Sequence, residues 1–368
     1  MNTVCPQAQC VGCMACADVC PHHAITVLDS ITHYDAIIDS QKCIGCDACH
    51  RICQNNRDDI VYHTPLSWYE GWAVDEMVRA KGSSGGVATA LSLAFVKAGG
   101  VVCSCTVKDG SFCFALAETP EEVEQFTGSK YVKSNPEGVY GIVNNALKAG
   151  KKVLFIGLPC QVSALKLVVP NARQEGLYTI DLICHGTPSP QLLHAYFQEC
   201  GATMASSVVF REKHRMNIQN EGRPLLPRPM TDRYTLAFLV GLCYTENCYS
   251  CSYAKEERVS DLTLGDSWGS TRVEEEQEKG ISLVLCNTER GQHLLEQTPL
   301  TLHPADRENA IASNHQLEHP SVKHPKRATF FAAWNKRHSF GKAVRAAMPI
   351  SCMKQTVKRL LWKLHVKR

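Results

Sequence analysis

Cysteine supplies the first chemistry legible in this chain of 368 residues, where it occurs 20 times. Cys10, Cys13, Cys16 and Cys20 recur at a constant offset as Cys43, Cys46, Cys49 and Cys53, and both runs read C-x2-C-x2-C-x3-C. A self-match of this kind marks a repeated structural unit. The spacing is that of two-cluster bacterial ferredoxins, in which three cysteines of a run hold one cubane and the fourth crosses to the other. Cys10, Cys13, Cys16 and Cys53 are therefore assigned to one 4Fe-4S cluster, and Cys20, Cys43, Cys46 and Cys49 to a second. Gly12 and Gly45 hold equivalent places and remove side chains where the backbone must come close. Pro21 follows the first run, whereas Gln54 stands where the second would have proline. Structural zinc pairs short C-x2-C knuckles and has no use for two sets of four at one offset. Such a module conducts electrons and by itself names no substrate.

Four later cysteines suggest a third site. Cys160 and Cys184 each end a predicted strand, and Cys248 and Cys251 form another C-x2-C. Together they would complete a third four-thiolate set, with Cys243 as a rival ligand. The alternative is that each is a small buried hydrophobe. Cys103, Cys105 and Cys113 read as core packing, and Cys5, Cys200, Cys286 and Cys352 as bystanders.

These side chains need elements to place them. Ala24–Leu28 and Ala36–Asp39 lie between the cysteine runs and suit a small hairpin. Beyond residue 75 helical and strand patterns alternate: a helix from Val87 to about Ala98, strands at Val101–Val107 and Phe112–Ala117, and a helix over Glu137–Lys148. A strand at Lys152–Ile156, a helix from Gln161, a strand at Leu177–Ile183 and a helix over Ser189–Glu199 follow. The fold class is accordingly α+β overall: a small N-terminal ferredoxin-like domain, an α/β domain with a mostly parallel sheet, and a basic helical C-terminal tail. In such sheets ligands sit beyond the carboxyl ends of the strands, where Cys160 and Cys184 fall.

Charge divides the chain. Residues 321–368 hold 13 Lys or Arg and no Asp or Glu, leaving 26 basic and 36 acidic side chains in the rest. Val357, Leu360, Leu361 and Leu364 fall at helical spacing among these cations, as in a basic amphipathic helix that rests on an anionic membrane or docks on an acidic partner. A solvated helix packed on its own acidic body is the third possibility. The opening residues carry neither a basic n-region nor an apolar h-region, so a cytoplasmic location is expected, with peripheral association at the cytoplasmic face of a membrane through the tail. Thiols stay reduced there, which favours metal or redox chemistry over a disulfide scaffold.

The motifs also resemble a family. KGSSGGVATAL, the segment Gly128–Ser134, VLFIGLPCQVSALK at Val153–Lys166 and DLICHGTPSP at Asp181–Pro190 are similar to the coenzyme F420 hydrogenase/dehydrogenase beta-subunit family. So are Cys248–Tyr253, Ser260–Gly269 and Gly280–Thr288. The resemblance runs from about Trp72 to Thr288 with the ferredoxin module in front. It implies an iron–sulfur flavoprotein, with units at 1–62 (two-cluster ferredoxin), 72–168 and 169–320 (the two parts of the family domain) and 321–368 (the basic tail). It implies FAD and a catalytic-domain 4Fe-4S cluster on Cys160, Cys184, Cys248 and Cys251. Ser83, Ser84, Gly85 and Gly86, turning into a helix, would receive the flavin pyrophosphate, because free amides and the helix dipole favour anions. Lys130 would add a phosphate contact or polarise the isoalloxazine ring. No G-x-G-x-x-G occurs, so a standard dinucleotide fold is not expected. After Phe210-Arg-Glu-Lys213 this chain reads His214-Arg-Met-Asn in place of the family's Gly-Trp, and the acceptor is therefore not inherited from the family.

The resulting expectation is an FAD- and 4Fe-4S-dependent oxidoreductase that relays electrons to or from FAD and a deazaflavin-like or other small acceptor, working with a redox partner protein. A non-catalytic ferredoxin-type subunit feeding a separate reductase is the alternative. Nucleic acid is not an expected partner.

Overall fold

The computed structural model describes residues 2–205, 207–226 and 231–363. Leu364 of the tail and residues 227–229 of the proline-rich stretch lie outside them.

The N-terminal repeat folds as two matching halves. β1 (Ile25–Asp29) and β2 (Tyr34–Ile38) pair antiparallel in the expected hairpin, with Ile25 opposite Ile38. After the second cysteine of each run comes a short helix that carries the third, Ala15–Asp18 and Ala48–Ile52, each entered through a left-handed residue, Met14 and Asp47. Val4, Cys5, Cys10, Cys16, Ile25, Tyr34, Ala36 and Ile38 form a small core of their own.

The larger unit is built on β3 (Ser67–Ala73), β4 (Val101–Lys108), β5 (Ser111–Ala117), β6 (Val153–Gly157) and β7 (Leu177–Leu182). A separate three-stranded sheet holds β8 (Val208–Glu212), β9 (Arg215–Asn220) and β10 (Arg223–Pro224), and β11 (Leu262–Asp266), β12 (Ser282–Cys286) and β13 (Leu300–Pro304) return to the large one. Its order is β13-β3-β12-β11-β7-β6-β4-β5. The four strands β11, β7, β6 and β4 run parallel, as alternating strands and helices require. Both flanks are antiparallel, so the sheet is mixed where a mostly parallel one was expected. The reason is local at one edge: Asp109 and Gly110 both have positive φ, 49° and 72°, which is the two-residue turn that folds β4 straight back into β5. At the other edge β3 comes from before the alternating region and pairs with late strands.

Every residue of β6 is buried, and so are Val101–Ser104 of β4, the continuous apolar reading of strands covered on both faces. The helix Val87–Lys97 packs one face with Val87, Leu91, Phe95 and Val96 in the core. A second core is aromatic. Tyr196, Tyr234, Phe330 and Phe340 join the helices Arg327–Arg337 and Phe340–Ala347 to the body, and Pro349–Lys363 follows as the last helix.

The ferredoxin-like module is docked on the large unit by specific bonds. Tyr140 Oη donates to the Cys13 carbonyl at 2.7 Å, Gly138 N–H to Asp18 Oδ1 at 2.7 Å, and Ser189 Oγ to Asp29 Oδ2 at 2.6 Å. Glu246 N–H donates to the Thr32 carbonyl at 2.8 Å.

Candidate functional site

The two cysteine runs differ in exposure. Cys10 and Cys16 are buried and Cys13 half-buried, whereas Cys43 and Cys46 are exposed. Gly12 fits its expected role. Its φ is +64° and a Cβ there would lie 3.3 Å from the Tyr34 ring. Gly45 shares the positive φ but faces open space. Burial pushes the Cys16 thiol up to about 12, so a free thiolate is disfavoured there.

Two residues behave unlike their sequence reading. Gln54 is buried and its Nε2 donates to the Cys160 carbonyl at 2.9 Å, while its Oε1 accepts from Tyr253 Oη. The missing proline is thus replaced by an amide that fastens the first cluster's loop to the third cysteine set. Cys5, read as a bystander, hydrogen-bonds with Cys10 and Cys53 and receives Asn55 Nδ2 at 3.6 Å. Nothing in its spacing could have shown this, because Cys5 stands outside both runs.

The third set converges from three loops. Cys160 opens the helix Pro159–Val168 after β6, Cys184 follows β7, and Cys248 lies in the 3-10 turn Glu246–Ser250. Cys160 and Cys251 interact with each other and with Cys184, and Cys184 with Cys248. Burial pushes Cys184 up to about 12 and raises Cys160 and Cys251 as well. Cys248 Sγ is held by Thr245 Oγ1 at 3.4 Å and Thr187 Oγ1 at 3.9 Å. Cys243 instead lies in the aromatic core, with Arg327 the charge that acts on it. Each thiolate of a cubane holds its own iron. Among the described residues no three His, Cys, Asp or Glu side chains meet at a single point as one ion would require.

Beyond these loops lies an open cleft lined by Ser83, Ser84, Arg211, Lys213, Asp266 and Trp268, among others. Arg211 Nη2 donates to the Ser83 carbonyl at 2.8 Å and pairs with Asp266, yet Arg211 Nε is buried without a partner. Lys213 Nζ donates to the Ser84 carbonyl at 2.7 Å. Burial, with Arg79 and Arg211 nearby, brings Lys213 down to about 8. His214 and Trp268 form an aromatic pair, with ring centroids 5.9 Å apart. Cys184 and this cleft are neighbours, since Asp266 ends the strand beside β7 and Ile183 N–H donates to the Leu264 carbonyl at 2.9 Å.

Of the predicted flavin residues, Ser83 and Ser84 line the cleft. Gly85 does not; its N–H donates to Ser282 Oγ at 3.0 Å. Gly86 caps the Val87–Lys97 helix with a φ of 79° and no side-chain cap. Lys130 is half-buried outside the cleft lining, where Nζ donates to the carbonyls of Phe126 at 2.7 Å and Thr127 at 3.2 Å. Arg211 and Lys213 carry the cleft's positive charge, and only the unusual His214 text drew notice to that segment.

Family comparisons fit this anatomy. The model described as coenzyme F420 hydrogenase/dehydrogenase, beta subunit N-term, matches residues 68–137, and its C-terminus partner matches residues 150–305. The chain belongs to this beta-subunit family. A 4Fe-4S dicluster model matches residues 9–57, over both cysteine runs, so this family member is an iron–sulfur electron-transfer protein. Among solved structures, the F420-reducing [NiFe] hydrogenase complex from Methanosarcina barkeri contains a chain that matches at 16% identity and a TM-score of 0.47, covering 75% of this chain and 95% of that one. No curated protein matches. The family so described is one of oxidoreductase subunits.

Proposed function

We propose that this family member is an FAD-dependent oxidoreductase in which three 4Fe-4S clusters connect a redox partner to a small acceptor, a deazaflavin or another, at the Arg211 cleft. The observation that carries this reading is the order of sites: an exposed second cysteine run, a buried first run, the set of Cys160, Cys184, Cys248 and Cys251, and then a cationic cleft. Such an order leads charge inward from a surface where a partner protein can dock. The residues fit a flavin, because Arg211 Nε is a buried donor without an acceptor and Lys213 adds a second charge, as a phosphate or an electron-rich ring edge requires. Bound there, a flavin exchanges electrons singly with clusters and in pairs with substrates. Asp266 holds Arg211 in place, and Ser83 and Ser84 close the cleft from the glycine-rich turn.

Counting iron, sulfide and flavin in an anaerobic preparation tests this. About 12 irons and one FAD per chain are expected, falling to about 8 irons in Cys248→Ala/Cys251→Ala, since each cubane holds four. About 8 irons and no flavin in the unaltered chain would instead establish the non-catalytic relay subunit.

The last helix favours a second, independent reading, contact with a membrane surface. Ile350, Met353, Val357 and Leu360 are exposed at 64%, 61%, 48% and 54% and recur at helical spacing. No helix among the described residues is long and apolar enough to cross a membrane, so this contact is peripheral.

A further inference from the structure

Lys133 is a cation built into the junction between cysteine sets that the reading above leaves without a task. It is 5% exposed, and its ammonium donates to the Val11 carbonyl at 2.8 Å, inside the loop between Cys10 and Cys13. It lies 5.8 Å from the centre of the Tyr34 ring, the same ring that packs on Gly12. The backbone around it is tied to each loop of the third set. Lys133 N–H donates to the Pro188 carbonyl at 3.0 Å, four residues after Cys184. Ser134 Oγ accepts Gln161 Nε2 at 3.0 Å, next to Cys160. Thr187, adjacent to Pro188, touches Cys248 Sγ. Cys10, Cys160, Cys184 and Cys248 all act on the Lys133 charge.

A buried ammonium held by one carbonyl among the described residues is costly unless negative charge surrounds it. Four-thiolate clusters are that charge, and they gain a further negative unit on reduction. A fixed cation between two of them stabilises the reduced form of each, which raises its reduction potential.

We propose that Lys133 is a positioning charge shared by the first ferredoxin cluster and the Cys160/Cys184/Cys248/Cys251 cluster, raising both potentials together and so keeping the driving force between them unchanged. The inference rests on the third cluster proposed above. The second cluster, on the exposed run, is not among the sites that Lys133 touches and serves as an internal reference.

The test is potentiometric titration of the anaerobic holoprotein followed by electron paramagnetic resonance, comparing the unaltered chain with Lys133→Met and Lys133→Arg. The third-cluster signal is assigned by its loss in Cys248→Ala/Cys251→Ala. In Lys133→Met, the reduction equilibria of the first and third clusters are expected to fall at least about tenfold, about 59 mV for a one-electron couple. Lys133→Arg should restore most of that shift, and the second cluster should not move. Should Lys133→Met lose iron, Lys133→Gln, which keeps a donor without charge, must show the same fall. Unmoved potentials in either neutral variant with full iron content would overturn the proposal, as would an equal shift in all three clusters. An unaltered chain with only about 8 irons would defeat the third-cluster reading itself, which is a separate outcome.

Discussion

Arg211 shows what a single side chain decides in this molecule. Its Nη2 is spent on Asp266 and the Ser83 carbonyl, and Nε is buried without a partner. Removing it takes away the cleft's most buried cation. Arg211→Ala should therefore weaken flavin retention at least about tenfold, or about 1.4 kcal/mol, with iron content unchanged. Equilibrium dialysis of FAD against the iron-loaded protein reads this, and unaltered retention would remove Arg211 from the site. Lys213 gives a pH dependence. Lowered to about 8 from 10.5, it is an ammonium below that value and neutral above it. Affinity for an anionic ligand should thus decline as pH rises through about 8. Stability should move the other way, because between about 8 and 10.5 the unfolded chain binds more protons than the native one. A flat binding curve from pH 7 to 9 would show that Lys213 does not face the ligand. The two N-terminal cysteine runs were legible because their spacing is local. Arg211 was not, because the small separate sheet brings it back over a turn 128 residues earlier in the chain.

At the level of elements, the glycine-rich turn before the Val87–Lys97 helix is held by contact rather than by side chains. A Cβ on Gly85 would stand 2.4 Å from the Gly71 carbonyl oxygen and 2.9 Å from Ser282 N, both in strands of the main sheet. Neither backbone can yield without breaking the β3–β12 pairing of Gly71 with Ser282. Gly85→Ala should cost roughly 1–3 kcal/mol, seen as a lower Tm, and should loosen flavin with it, since Ser83 and Ser84 ride on the same turn. An unchanged Tm would mean that the turn is free to shift. Between residues 87 and 199 the alternating pattern made the main strands and longer helices readable within about two residues, including β4, β6 and the helix ending at Glu199. The pairing partners were not readable. β3 pairs with β12 and β13 across more than two hundred residues, and a strand's own pattern does not say which edge it joins. Gln54 was legible as a departure but not as a contact, because Tyr253 and the Cys160 carbonyl meet it only in the folded chain.

Across the whole molecule, the exposed cysteine run and the basic last helix are separate features of the surface, and the helix invites a direct test. Ile350, Met353, Val357 and Leu360 lie within one narrow arc, and Cys352 on the other side is buried against the aromatic core. The helix is therefore anchored by one face while the opposite face offers apolar side chains to something outside. Lys354, Lys358 and Arg359 are exposed among them, and the sequence from residue 321 onward holds no carboxylate side chain to compete. An anionic lipid surface satisfies both features: about 1 kcal/mol for each Lys or Arg brought near it, and burial of apolar area besides. Val357→Ser/Leu360→Ser keeps the charge and leaves Cys352 in place, so the fold and the iron count should survive. Co-sedimentation with phosphatidylserine-containing vesicles should drop about tenfold, because two large apolar side chains contribute more than about 1.4 kcal/mol together. Binding that the double variant leaves intact would assign the attraction to charge alone. Absence of binding by the unaltered chain, at low salt where such attraction is strongest, would remove the membrane and leave an acidic protein surface as the face's partner.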